Sequence, residues 1–242
     1  MKRKRDSINW AKIIFLYIFF GFLIYKGALF LFTSNYFSLK RIEIEGLKAL
    51  SERYILDNSG LKGGENLFLI NLKDIKKKLK SRPWIKNVII KKKFPDTLFF
   101  VIEKRAPFCI LTDTKIDVVI DSNCIVLTKN TQSFSFLKKI VYKQLDLSGV
   151  SLGKAIKDKW LCDSVYIIKV FDNNFPGFLK KVEIEKGTYV KLYTKTGLTI
   201  IIGTIRDFTN KEKFAMLKKI LKTKSKYLKI LDLRYKKGII GK

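Results

Sequence analysis

The sequence predicts an α+β protein hung on a single N-terminal transmembrane helix, and three observations predict it. An almost unbroken apolar run extends from Ile13 to Phe32, just after the basic cluster Lys2-Arg3-Lys4-Arg5. A segment ending before Pro107 then reads as strand, helix, helix, strand, strand. Beyond Pro107, short alternating strands dominate and two helical patterns interrupt them, which predicts a mixed β-rich domain with two helices.

The apolar run comes first. Twenty residues at helical rise cover about 30 Å, the thickness of a bilayer's hydrocarbon core. Ile13, Leu16, Phe20, Leu23, Leu29 and Phe32 are the anchor residues of this span. A cleaved signal peptide is the rival reading, but its apolar core would be shorter and would end at a small-x-small site, which Leu31-Phe32-Thr33 does not supply. Trp10 and Tyr36 flank the run where interfacial aromatics are expected. Lys26 sits inside it; an intramembrane lysine is either functional or, as read here, an outer-end residue that snorkels along its stem. The basic cluster predicts a cytoplasmic tail over residues 1–12, with the rest delivered to the far side of the membrane.

About two hundred residues follow the anchor, enough for one large or two small domains with real cores. Lys and Arg number 50 against 21 Asp and Glu, a net charge of +29. That balance suggests an anionic partner, but the lysines run along the whole chain with no nucleic-acid-reading signature beside them. The charge reads mainly as background of a Lys-, Ile-, Phe- and Asn-rich composition, with anionic lipid or cell-wall polymer as weak partners and no nucleic acid. Histidine is absent, which removes His-based triads and His-ligated metals. Cys109, Cys124 and Cys162 form no C-x-x-C pair. Cys109 and Cys124 pair in one reading; all three are inert thiols in the other.

Leu39 to Glu45 alternates, with Ile42 and Ile44 on one face, and reads as a strand ended by Gly46. Ser51 fits the N-cap of a short helix stopped at Gly60, and Gly63-Gly64 makes a turn. Asn71 caps a second helix whose Leu72, Ile75 and Leu79 share a face, while Lys76, Lys77, Lys78 and Lys80 point outward. Pro83 closes that helix. Trp84 to Lys92 and Leu98 to Lys104 are strands joined by the turn Phe94-Pro95-Asp96-Thr97. Further strands are expected over 107–111, 117–121, 124–127, 182–185, 189–193, 198–202, 228–233 and at Ile239-Ile240. Helices are expected from Ser151 to Val170 and around Phe214, Leu217, Ile220 and Leu221.

Within this pattern, Ile42-Glu43-Ile44-Glu45-Gly46, Gly64-Glu65-Asn66-Leu67-Phe68, Arg82-Pro83-Trp84-Ile85, Phe94-Pro95-Asp96-Thr97-Leu98 and Glu103-Lys104-Arg105-Ala106-Pro107 occur in order. Together they resemble a POTRA domain of the kind found in the FtsQ/DivIB family of bacterial division proteins. Asp121-Ser122-Asn123 resembles the family's "D-x-x-G" turn, except that Cys124 stands where the glycine is usual, which puts the turn geometry in doubt. Asp232-Leu233-Arg234-Tyr235 resembles its closing "D-L-R-Y" motif. The resemblance implies a POTRA domain over residues 37–106 and a β-domain over 107–242.

Other residues are weighed on their own chemistry. Trp84 and Phe94 read as core aromatics between helix and sheet. Glu103 and Arg105 read as the solvated face of a strand. Glu183 and Glu185 share a strand face, but no other group converges on them, so no catalytic residue, metal or cofactor is expected. Arg234 is open between an anion site and a structural ion pair.

The final strand carries the sharper expectation, because a strand at a chain end is often a sheet edge with free N–H and C=O groups. The resemblance implies that this region docks FtsB- and FtsL-like single-pass coiled-coil partners, here through Tyr235, Lys236, Lys237, Gly238, Ile239 and Ile240. The expected role is a non-enzymatic membrane scaffold of septum assembly. The rivals are another POTRA-bearing assembly or secretion factor, and a binder of anionic envelope polymer.

Overall fold

The computed structural model describes residues 10–45, 52–204, 208–209, 211–223, 228–235 and 239–241. The chain forms two compact units, Met1–Lys80 with Asn87–Glu103, and Ser81–Lys86 with Lys104–Lys242.

The first unit opens with helix α1, Trp10–Thr33, which is long and apolar enough to cross a membrane and has no buried residue. It begins three residues before the apolar run, and Ile13, Leu16, Phe20, Leu23, Leu29 and Phe32 all lie on it. The Nζ of Lys26 lies 5.5 Å from the centroid of the Phe22 ring, one turn back along the helix.

The rest of this unit holds β1 (Arg41–Glu45), α2 (Glu52–Ser59), α3 (Leu72–Lys80), β2 (Ile85–Lys93) and β3 (Thr97–Lys104). The sheet order is β1-β3-β2, with β1 parallel to β3 from Arg41↔Thr97 to Glu45↔Val101. The parallel pair is possible because two helices intervene between its strands. Gly60 ends α2 at φ +79, where a Cβ would be strained. Asn71 caps α3 by accepting from the Lys73 N–H at 3.0 Å, and Ile75 and Leu79 face inward. The caps expected of Gly46 and Ser51 lie outside the described residues.

The second unit is built on a nine-stranded mixed sheet of order β12-β11-β10-β9-β8-β7-β4-β5-β6. Its strands are β4 (Cys109–Thr112), β5 (Asp117–Ile120), β6 (Val126–Thr128), β7 (Lys138–Val141), β8 (Leu179–Glu185), β9 (Tyr189–Thr194), β10 (Thr199–Ile202), β11 (Ile230–Asp232) and β12 (Ile239–Gly241). Helices α4 (Lys159–Asn174) and α5 (Lys211–Thr223) supply the crossovers that the parallel pairs β7–β8 and β10–β11 require. Alternate residues of the strands, such as Leu111, Ile140, Val182, Leu192 and Ile200, meet Leu161, Val165, Ile168 and Leu217 of the helices in one continuous core. On the opposite face, Ile110, Val119 and Leu127 gather Trp84, Phe134 and Leu137 into a smaller cluster.

Three sequence expectations are corrected here. The helix expected from Ser151 starts at Lys159, where the Asp158 carboxylate accepts from the Leu161 N–H at 2.9 Å. The preceding residues form a turn and a bridge instead, with Gly153 at φ +77 beside the Ser81 carbonyl and Ala155 bridged to Ile125. Trp84 is half-buried in the second unit, stacked on Phe134 at 5.9 Å, and Phe94 is 52% exposed, so neither fills a helix–sheet core. Arg105 is not on a solvated face: its Nη1 lies 3.0 Å from Asp121 Oδ2, with the two side chains 13% and 5% exposed.

The doubt over Cys124 resolves by strain. Cys124 takes φ +59 and keeps the turn a glycine would make, while Asp121 Oδ1 accepts from Asn123 N–H at 2.8 Å and Ile125 N–H at 2.9 Å. All three cysteines are free; Cys109 and Cys124 are buried and Cys162 is exposed. Burial pushes the thiols of Cys109 and Cys124 up, so neither is poised as a nucleophile.

Candidate interaction site

The C-terminal end of the large sheet is assembled from three distant segments. β10 pairs in parallel with β11, and β11 pairs antiparallel with β12 through Ile230↔Gly241, Leu231↔Ile240 and Asp232↔Ile239. β12 is the terminal strand in the sheet order, and among the described residues no strand lies outside it. Ile239 and Ile240 enter through their backbone; Lys236, Lys237 and Gly238 lie outside the described residues. Tyr235, just before them, is 52% exposed.

The D-L-R-Y segment begins at the last residue of β11. Asp232 and Arg234 form a fork, with Nε 3.0 and 3.1 Å from the two carboxylate oxygens and Nη2 2.7 Å from Oδ2. The Arg234 backbone N–H adds a bond to Oδ1 at 3.0 Å. Burial alone would raise the Asp232 carboxyl, but the side-chain and backbone donors of Arg234 outweigh it and hold that group below its ordinary value. The same bond raises Arg234. The open question about Arg234 is thereby answered: it is a structural ion pair, with its guanidinium also 5.6 Å from the Tyr189 ring and 5.8 Å from the Tyr235 ring. Leu233 is tied on both sides, its N–H donating to the Ile201 carbonyl at 2.8 Å and its carbonyl accepting from Lys213 Nζ at 2.6 Å. These bonds tie the end of β11 to β10 and α5.

Glu183 and Glu185 are each engaged separately. Tyr193 donates to Glu183 Oε2 at 2.7 Å, and Gln144 donates to Glu185. Burial and the neighbouring Glu183 push the Tyr193 hydroxyl up to about 12. Two carboxylates bonded to different neutral donors lack the shared proton or opposed placement that acid–base work needs.

Sequence reasoning left the Asp232–Arg234 pair open. Arg234 lies past the end of β11, where a bend brings its guanidinium back onto the Asp232 carboxylate, and the local spacing of the two charges was the signal.

The POTRA domain, FtsQ-type, matches residues 37–105. Cell division protein DivIB of Clostridium acetobutylicum is 31% identical over 188 residues, covering 73% of this chain and 71% of that protein. Cell division protein FtsQ of Geotalea daltonii is 24% identical over 246 residues, covering 100% of this chain and 88% of its own length. Cell division protein DivIB of Clostridium botulinum is 26% identical over 211 residues, covering 84% of this chain and 78% of its own. With an FtsQ-type POTRA domain and relatives that align over most of its length, the chain belongs to the FtsQ/DivIB family of bacterial cell division proteins.

Proposed function

We propose that this chain is a non-enzymatic scaffold of the division complex, with its N-terminus in the cytoplasm and its domains, over residues 37–106 and 107–242, outside. It recruits FtsB- and FtsL-like single-pass coiled-coil proteins to the septum and so helps control cell-wall synthesis there. The contact is strand addition on β12, through Tyr235, Lys236, Lys237, Gly238, Ile239 and Ile240. The observation that carries this reading is the terminal position of β12 in the nine-strand order.

Backbone hydrogen bonds supply affinity in such a contact, and side chains at alternate positions supply selectivity. Anchoring partner and scaffold in one membrane raises their effective concentration, so a short strand suffices.

The test is co-purification of single-pass coiled-coil division proteins with the full chain and with a chain ended after Tyr235. That truncation removes β12 but keeps the Asp232–Arg234 fork. Retention by the full chain alone supports the reading. Retention by both places the contact elsewhere. Retention by neither, with capture of anionic envelope polymer that is lost as salt rises, makes the +29 charge the functional feature instead.

A further inference from the structure

The end of the anchor helix carries aromatic surface that is partly open, with Phe32 47% and Phe94 52% exposed. At 1.5 Å per residue, the 24 residues of α1 extend about 36 Å, so its last turn emerges from a hydrocarbon core of about 30 Å into the headgroup layer. That turn is fastened to the POTRA module rather than joined through a slack linker. Asn66 Nδ2 donates to the Leu31 carbonyl at 2.9 Å, while Asn66 Oδ1 accepts from the Phe68 N–H at 2.9 Å. The segment after the helix is zipped to the same loop: Leu67 N–H donates to Phe37 O at 2.8 Å, and Leu39 N–H donates to Glu65 O at 2.9 Å. Whatever adjoins Phe32 is therefore held near headgroup depth.

What adjoins Phe32 is apolar and open. The Phe68 ring meets Phe32 edge-on at 6.0 Å and stacks on Phe94 at 4.7 Å, with Phe37 5.1 Å from Phe68. Phe94 is 52% exposed and the adjacent Leu69 is 66% exposed. In water this contiguous patch would be a liability. At a bilayer interface, aromatic rings with apolar bodies are the favoured residues. Lys92 Nζ bonds the Phe68 carbonyl at 3.4 Å, while Lys93 is paired with Glu43.

We propose that the Asn66–Leu69 loop and the Phe94 turn form a second membrane contact, a seat that presses the POTRA module onto the phospholipid interface of the bilayer that α1 crosses. The occupant is lipid because the patch is continuous with the helix that enters the lipid. The seat sets the tilt of the POTRA module over the membrane. This inference rests on the reading of α1 as a membrane anchor.

The test uses the full chain reconstituted in phospholipid vesicles with no other protein, in a Cys162→Ser background that removes the exposed thiol. Spin labels are placed separately through Leu69→Cys and, as the anchor control, Leu23→Cys. Their access to oxygen and to a water-soluble nickel chelate is measured. The label at 69 is expected to lose roughly tenfold of its nickel access relative to water, the partition equivalent of part of one buried apolar side chain. Phe94→Ser, a change at a half-exposed ring, is expected to restore much of that access while the circular dichroism stays unchanged. A label at 69 that stays fully aqueous while the label at 23 lies in the bilayer overturns the seat and leaves the anchor standing. Both labels in water overturn the anchor reading and the seat with it.

Discussion

The two ends of the nine-stranded sheet treat the same problem in opposite ways. At the β6 end the chain covers its own edge. Gly153 N–H donates to Val126 O at 2.8 Å, Val126 N–H to Lys154 O at 3.0 Å, and Ile156 N–H to Cys124 O at 2.9 Å. A non-strand segment thus pairs the outer backbone groups of β6. At the other end, β12 is three residues long, and among the described residues no strand lies outside it. Edge strands that pair with nothing invite another chain, and proteins usually blunt them. One end of this sheet is covered by backbone; at the other, among the described residues, no strand lies outside β12. The proposed strand addition draws on that difference.

Substitutions at each end sharpen that contrast. Asp121→Ala has the largest expected effect. It leaves the buried Arg105 guanidinium unpaired and removes the acceptor that shapes the Cys124 turn, at a cost of about 3 kcal/mol or more. Chemical denaturation of the second unit checks it, and a loss under 1 kcal/mol would mean the pair is solvated.

Gly153→Ala acts on the covering loop itself. A Cβ there would lie 2.8 Å from the Ser81 carbonyl oxygen at φ +77, so about 2 kcal/mol is expected. Amide exchange at Val126 and Ile156 should accelerate, while exchange in β11 stays unchanged. Asp158→Ala is expected to cost about 1 kcal/mol, since it removes the N-cap of α4 and the acceptor of the Tyr142 hydroxyl at 3.3 Å. A thermal melt reads that loss.

The smallest effect is a pH dependence at the β12 end. The folded Asp232 carboxyl is more acidic than the unfolded one. Its contribution is full above the unfolded value near 4 and is lost as pH falls through the lower folded value. Amide exchange in β11, corrected for its intrinsic pH dependence, should rise below about pH 4. Asp232→Asn should show the higher exchange at neutral pH and a smaller rise on acidification, the remainder coming from Asp113 and Asp117, which are also held below their ordinary values.

How much of this was legible in the sequence follows from the range of each interaction. The anchor, the β-α-α-β-β order of the first unit and the helix carrying Leu217 and Leu221 were readable, because periodicity, turn residues and caps are local. The strand β7 was missed. It is four residues long, Lys138 to Val141, and its place between β4 and β8 comes from parallel pairing on both sides. The start of α4 was misplaced because Ser151 and Asp158 are both acceptable caps, and only the pairing of Ala155 with Ile125 decides between them. Trp84 and Arg105 were misread for the same reason: their partners, Phe134 and Asp121, are far along the chain. Of the site, the motif was legible and its edge position was expected; the pairing of Arg234 with Asp232 was left open.

The measurement that bears most directly on the central proposal is amide hydrogen exchange of the full chain with and without its coiled-coil division partners. The account predicts added protection at Ile239–Gly241 and Ile230–Asp232 when the partners are present, and none at Val126–Thr128, where the edge is already paired. Saturating partner with no change at Ile239–Gly241 would contradict strand addition at this edge.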